Sequence, residues 1–78
     1  MKINNAIDIL TDLIIDAENN SHVQHIDFYK SAVRVLQSKT LNNAELENLH
    51  RNFCGYLANG YFHNNEYQNI LKLIELLK

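Results

Sequence analysis

Four histidines and a single cysteine are the residues best equipped for chemistry, and their spacing limits what they can do. His50 and Cys54 lie four positions apart. On a helix that spacing puts both side chains on one face, where a thiolate and an imidazole nitrogen could share a metal ion. A zinc site takes three or four ligands, and no matching pair stands elsewhere in the chain. His22 and His25 are three apart without partners, and His63 sits in a turn-like segment. These residues are read as groups flanking the core, and neither a metal nor another cofactor is expected.

Catalysis by other routes fares no better. A Cys–His nucleophile also needs an oxyanion site and a cleft, which a cysteine on the side of a helix does not bring with it. Gly55 and Gly60 are isolated, so no glycine-rich phosphate loop exists. The carboxylates of Asp8, Asp12 and Asp16 share a face, but a solvent-facing one that does not tune carboxylates for acid–base work. The expectation is a protein that is not an enzyme.

Nucleic-acid recognition needs Arg, Lys, Asn or Gln aimed at base edges beside a cationic rim for phosphates. Asn48, Arg51 and Asn52 come with Glu45 and Glu47, while Gln68, Asn69 and Lys72 come with Glu66 and Glu75. Lys30 and Arg34 are the closest cationic pair, and the formal net charge is −2 with a pI near 6.0. Nucleic acid is therefore a disfavoured partner.

The elements that position these residues are helical. Proline is absent and glycine occurs twice in 78 residues, too few for the corners of a strand-and-turn fold. Hydrophobic residues make up 46%, enough for one small core and too many for intrinsic disorder. Four Asn-Asn doublets, beginning at Asn4, Asn19, Asn42 and Asn64, read as punctuation.

A first helix is expected from Asn5 to Glu18, with Ile3, Ala6, Ile7, Leu10, Leu13, Ile14 and Ala17 on its inner stripe. A second begins between Ser21 and Phe28, with Ser21 (paired with Gln24) or Asp27 as its cap, and ends near Lys39. A third is capped by Asn42 with Glu45 three positions on, stapled by Leu41 and Leu46, and stopped by Asn59-Gly60 with the glycine left-handed. A fourth is capped by His63 or Asn64 and turns Tyr67, Ile70, Leu71, Ile74 and Leu77 inward. The fold class is all-α: a small four-helix bundle, up-down or orthogonal, spanning residues 1–78 as a single domain. Phe28, Val35, Leu73 and Leu76 exceed what one small core needs, which points to a homodimer or a partner groove.

Two surfaces stand out. Asp8, Asp12 and Asp16 form an i, i+4, i+8 row opposite the apolar stripe, with Ile15 beside them. Residues 1–27 hold five acids against Lys2 alone. An apolar residue among unneutralised acids suits a basic protein partner. On the third helix, Asn48, Asn52, Gly55 and Asn59 make a neutral outer seam where another backbone could approach closely. The expected function is a protein-binding module of the inhibitor type: an immunity, antitoxin or anti-defence protein. The alternative is a small dimeric transcriptional regulator acting on DNA or on another regulator. The acids at Asp8, Asp12 and Asp16 interrupt any apolar run near the start, so no membrane association is expected. A lone cysteine fits a reducing cytoplasm.

Overall fold

The computed structural model describes residues 2–21, 23–60, 62 and 64–78, apart from the side chains of Lys2, Val23 and Gln24. Four helices follow one another: α1 (Lys2–Asn19), α2 (Val23–Leu36), α3 (Asn43–Asn59) and α4 (Asn64–Leu77). No strand occurs among the described residues. Each helix touches its neighbours in a ring, α1 to α2, α2 to α3, α3 to α4 and α4 back to α1. Val35 near the end of α2 lies beside Glu45 and Asn48 near the start of α3. Asn43 and Leu46 at the start of α3 lie beside Leu77 at the end of α4. Neighbouring helices therefore run antiparallel, which is the up-down form of the bundle.

The α1 stripe repeats at four, three and four: Ala6, Leu10, Leu13 and Ala17 are buried, with Ile3, Ile7 and Ile14 partly buried beside them. The helix starts before Asn4-Asn5, so that doublet lies inside it rather than marking its start. At the other end the Asn20 amide donates to the Asp16 carbonyl, and Ser21 follows at φ 61°. Ser21 thus occupies the left-handed position that ends a helix, instead of capping the next one. The residue that would cap α2, His22, lies outside the described residues, as does the side chain of Gln24.

Tyr29, Ala32 and Leu36 are the buried positions of α2. The helix stops at Leu36, short of Lys39, because the chain tightens there: the Ser38 amide donates to the Val35 carbonyl. Asn42 caps α3 as expected, its side-chain oxygen accepting from the Glu45 amide at 2.9 Å. Leu41 and Leu46 are both partly buried against the core.

Gly60 ends α3 in extended geometry, φ −106°, and not in the left-handed region. Its glycine is explained by crowding instead: a Cβ there would lie 2.5 Å from the Phe62 ring and 3.0 Å from the Tyr56 carbonyl oxygen. His63, the residue before α4, and Tyr61 lie outside the described residues.

The rotation of α4 differs from expectation. Its buried residues are Glu66, Ile70, Leu73, Ile74 and Leu77. Tyr67 and Leu71 are 42% and 36% exposed. Turning Leu73 into the core brings Glu66 with it, because 66, 70, 73 and 77 share one stripe. The supposed surplus edge is accordingly absorbed. Leu73 is fully buried and Phe28 stacks on Phe53, so Phe28, Val35, Leu73 and Leu76 form no shared exposed patch.

Candidate functional site

Packing between α2 and α4 fixes which side of α1 meets solvent. Asp8 and Asp12 are exposed, and Ile15 at 51% is the most exposed large apolar residue among those described. Asp16 is half-buried. Its side chain accepts from the Asn20 side-chain amide at 3.1 Å, and the same amide donates to the Asp16 carbonyl at 2.8 Å. Asp16 therefore helps finish the helix as well as contributing charge.

No ion pair engages Asp8, Asp12 or Asp16 among the described residues. Lys30 and Arg34 are exposed on α2 and bridge to none of them. Carboxylates one turn apart are about 6 Å apart along the axis, so each neighbouring pair repels by under about 1 kcal/mol in water. A positive surface laid along the face would relieve that cost.

The α3 seam divides. Asn48 and Asn52 are exposed and line a shallow cleft of about 170 Å³ with Val35, Glu45 and Leu49, where α2 and α3 pack sparsely. Asn59 bonds within its own helix: its side-chain amide donates to the Gly55 carbonyl at 2.9 Å near the end of α3. A Cβ on Gly55 would meet nothing within 4 Å, so no contact within the chain requires glycine there. Because α1 and α3 are not neighbours in the ring of helices, the acidic face and the seam are separate surfaces.

His50 and Cys54 share a face as their spacing implies, with Sγ 3.9 Å from Nε2. They line an open cleft of about 420 Å³ between α3 and the end of α4, together with Glu47, Arg51, Leu77 and Lys78. Among the described residues no group of three or more His, Cys, Asp or Glu side chains could hold a metal ion. No described helix is long and apolar enough to cross a membrane.

The largest departure from sequence reasoning is a polar cluster inside the bundle. Glu66 on α4 is only 1% exposed. The Tyr29 hydroxyl of α2 donates to its Oε2 at 2.6 Å, and His25 Nδ1 lies 3.1 Å from the same oxygen. Aromatic rings enclose the group: His25 packs 5.5 Å from both Tyr56 and Phe62, and Phe28 packs 4.3 Å from Tyr56.

Burial pushes the Tyr29 hydroxyl far above its ordinary range, and the hydrogen bond to Glu66 and its charge push the same way. Burial also raises Tyr56, to about 12, with Tyr29 pulling the other way and Glu66 adding to the rise. The Tyr56 hydroxyl is buried near that of Tyr29, close enough for the two to influence each other's titration, but it meets no partner at full hydrogen-bonding geometry among the described residues.

The cluster joins α2 to α4 across the diagonal of the bundle. One signal for it was present in the sequence: Glu66 stands four residues before Ile70 on the inner stripe. Comparison of the chain with protein families, with characterised proteins and with solved structures returned no match.

Proposed function

We propose that the protein is a non-enzymatic binding module that docks the outer face of α1 on a basic surface of another protein. The mode is that of an inhibitor, as in immunity, antitoxin or anti-defence proteins. The observation that supports this most is Ile15: a large apolar side chain half open to water, beside carboxylates that no cation among the described residues neutralises. The acids would steer the encounter and raise the association rate, while burial of Ile15 would slow dissociation. Asp8 and Asp12 carry the long-range part, since Asp16 is half-buried and bonded to Asn20.

Site-specific photocrosslinking in the native host tests this. A photoreactive amino acid replaces Ile15 in one variant and Ser31, exposed on α2, in another. The expected result is one discrete protein adduct from position 15 and none from position 31. Asp8→Asn with Asp12→Asn should reduce its yield, while circular dichroism stays unchanged. Equal crosslinking from both positions would refute a dedicated α1 face. Adducts to nucleic acid near Lys30 and Arg34 would favour a DNA-contacting regulator instead.

A further inference from the structure

Two donor atoms on α3 stand close to the separation that a shared metal ion imposes. Cys54 Sγ lies 3.9 Å from Nε2 of His50, one turn away on the same face. A zinc ion with a sulfur at about 2.3 Å and an imidazole nitrogen at about 2.0–2.1 Å holds those two atoms about 3.6 Å apart at the tetrahedral angle. Small rotations of the two side chains close the remaining gap. The helix fixes where both side chains start, so little freedom is lost when they converge on one ion.

We propose that His50 and Cys54 form a two-donor site for a thiophilic divalent cation of the zinc class, with water at the remaining positions. Among the described residues no third His, Cys, Asp or Glu side chain joins the pair. The site is therefore an open, exchangeable one and not a closed structural centre. On binding, the Cys54 thiol gives its proton to solvent and the thiolate sulfur bonds the ion. Neutral His50 offers the Nε2 lone pair and keeps its proton on Nδ1. The ion takes the place of the thiol proton between the two atoms, and one proton is released for each ion bound.

The surroundings suit such an ion. The cleft around the pair is open, with a volume of about 420 Å³, and Cys54 is exposed, which leaves a path for a hydrated cation. Glu47 and Arg51 line it with opposite charges, and the Lys78 ammonium is held 3.0 Å from Glu75. The thiolate then tips the local charge to negative. A soft sulfur donor selects against magnesium and calcium, which take oxygen ligands. Since α3 is not a neighbour of α1, the site stands or falls independently of the proposed function.

Titration of the full chain in metal-free buffer with a phosphine reductant tests the proposal, with Co(II) and Cd(II) as probes and Zn(II) as competitor. Each probe should raise an ultraviolet thiolate-to-metal charge-transfer band that saturates at one ion per chain and disappears with excess Zn(II). His50→Ala should weaken binding by roughly tenfold or more, because losing a ligand costs at least as much as losing a group that supports one. Cys54→Ser should abolish the band. Cys54→His keeps two donors one turn apart and should still bind Zn(II) by calorimetry, without the band. Circular dichroism should be the same in all three variants. Binding indifferent to His50→Ala would overturn the proposal, because a bare thiol would then suffice. One ion per two chains would overturn it in favour of an ion shared between copies, and the absence of any band at submillimolar probe would overturn it outright.

Discussion

Two tyrosines lie side by side in the polar cluster, and removing one hydroxyl from each should have opposite consequences. The Tyr29 hydroxyl donates to a fully enclosed carboxylate oxygen at 2.6 Å, whereas the Tyr56 hydroxyl is buried with no partner at full hydrogen-bonding geometry among the described residues. Tyr29→Phe keeps the ring and its packing but deprives Glu66 of a donor. Hydrogen bonds to charged groups contribute about 1.5–3 kcal/mol, and a buried acceptor that loses a donor also keeps its desolvation cost. The expected loss is therefore about 2–3 kcal/mol. A chain of this size has about 4–12 kcal/mol in total, so the variant should still fold, at a clearly lower urea midpoint. Tyr56→Phe removes a polar atom that gains little from being buried, and should be neutral or stabilising by up to about 1 kcal/mol. Urea titrations followed by circular dichroism, with unchanged slopes, give both numbers. A cycle adding Glu66→Gln should return a coupling of at least about 1 kcal/mol between positions 29 and 66 and almost none between 56 and 66. Equal losses in the two Phe variants, or no coupling at 29, would show that the cluster does not stabilise the bundle in this way.

Alkaline stability should fall for the same reason. Both tyrosines hold their protons more tightly folded than unfolded, so each contributes stability that is complete below about pH 10 and is lost as pH rises, by about 1.4 kcal/mol per unit. For Tyr56 that loss levels off near pH 12, its folded value. Urea midpoints measured between pH 9.5 and pH 12, taking the range as roughly spanning the tyrosine titration, should fall less steeply in Tyr56→Phe. A flat wild-type profile would contradict this. Ser21→Gly should raise the thermal midpoint, because the residue stands at φ 61°, where a side chain costs about 1 kcal/mol that glycine avoids. Gly55→Ala should add about 1 kcal/mol of helix stability, since the new methyl meets nothing within 4 Å. A destabilised alanine variant would reveal a packing constraint at that position.

Local signals were legible where they acted locally. Asn42 with Glu45, flanked by Leu41 and Leu46, fixed the start of α3 because a cap is decided by a few consecutive residues. The stripe of α1 was equally plain. The rotation of α4 was not, because Tyr67 and Leu71 compete with Leu73 for the core, and hydropathy favours whichever stripe excludes the glutamate. Tyr29 and His25, 37 and 41 positions away, help make burial of Glu66 tolerable, and no local pattern announces partners that distant. Gly60 shows the same limit: the local rule for helix ends implied a left-handed glycine, while the requirement came from the Phe62 ring. The acidic face was legible as a charge pattern, but Asp16's bond to Asn20, which separates it from Asp8 and Asp12, depended on where α1 stops.

The polar cluster also bears on which surface is suited to binding. Docking is strengthened when the docking surface is already ordered, because less freedom is lost on contact. The bundle is not uniformly tight: α1 is packed on both flanks by α2 and α4, whereas α2 meets α3 only sparsely and leaves a cleft there. Phe28 stacks on Phe53 and Tyr56, so aromatic contacts hold the start of α2 to α3, while the Val35 end borders the cleft. The bond from Tyr29 to Glu66 ties α2 to α4 from inside, closing a triangle of α1, α2 and α4. Ile15, Asp8 and Asp12 project from the outer edge of that triangle, and Asn48 and Asn52 border its loosest neighbour. Hydrogen exchange should therefore be slower in α1 than in α3, and Tyr29→Phe should narrow the difference by releasing α2. If α1 exchanged as fast as α3, the outer face of α1 would not be a preorganised surface, and the steering acids would have to act on a helix that orders only on contact.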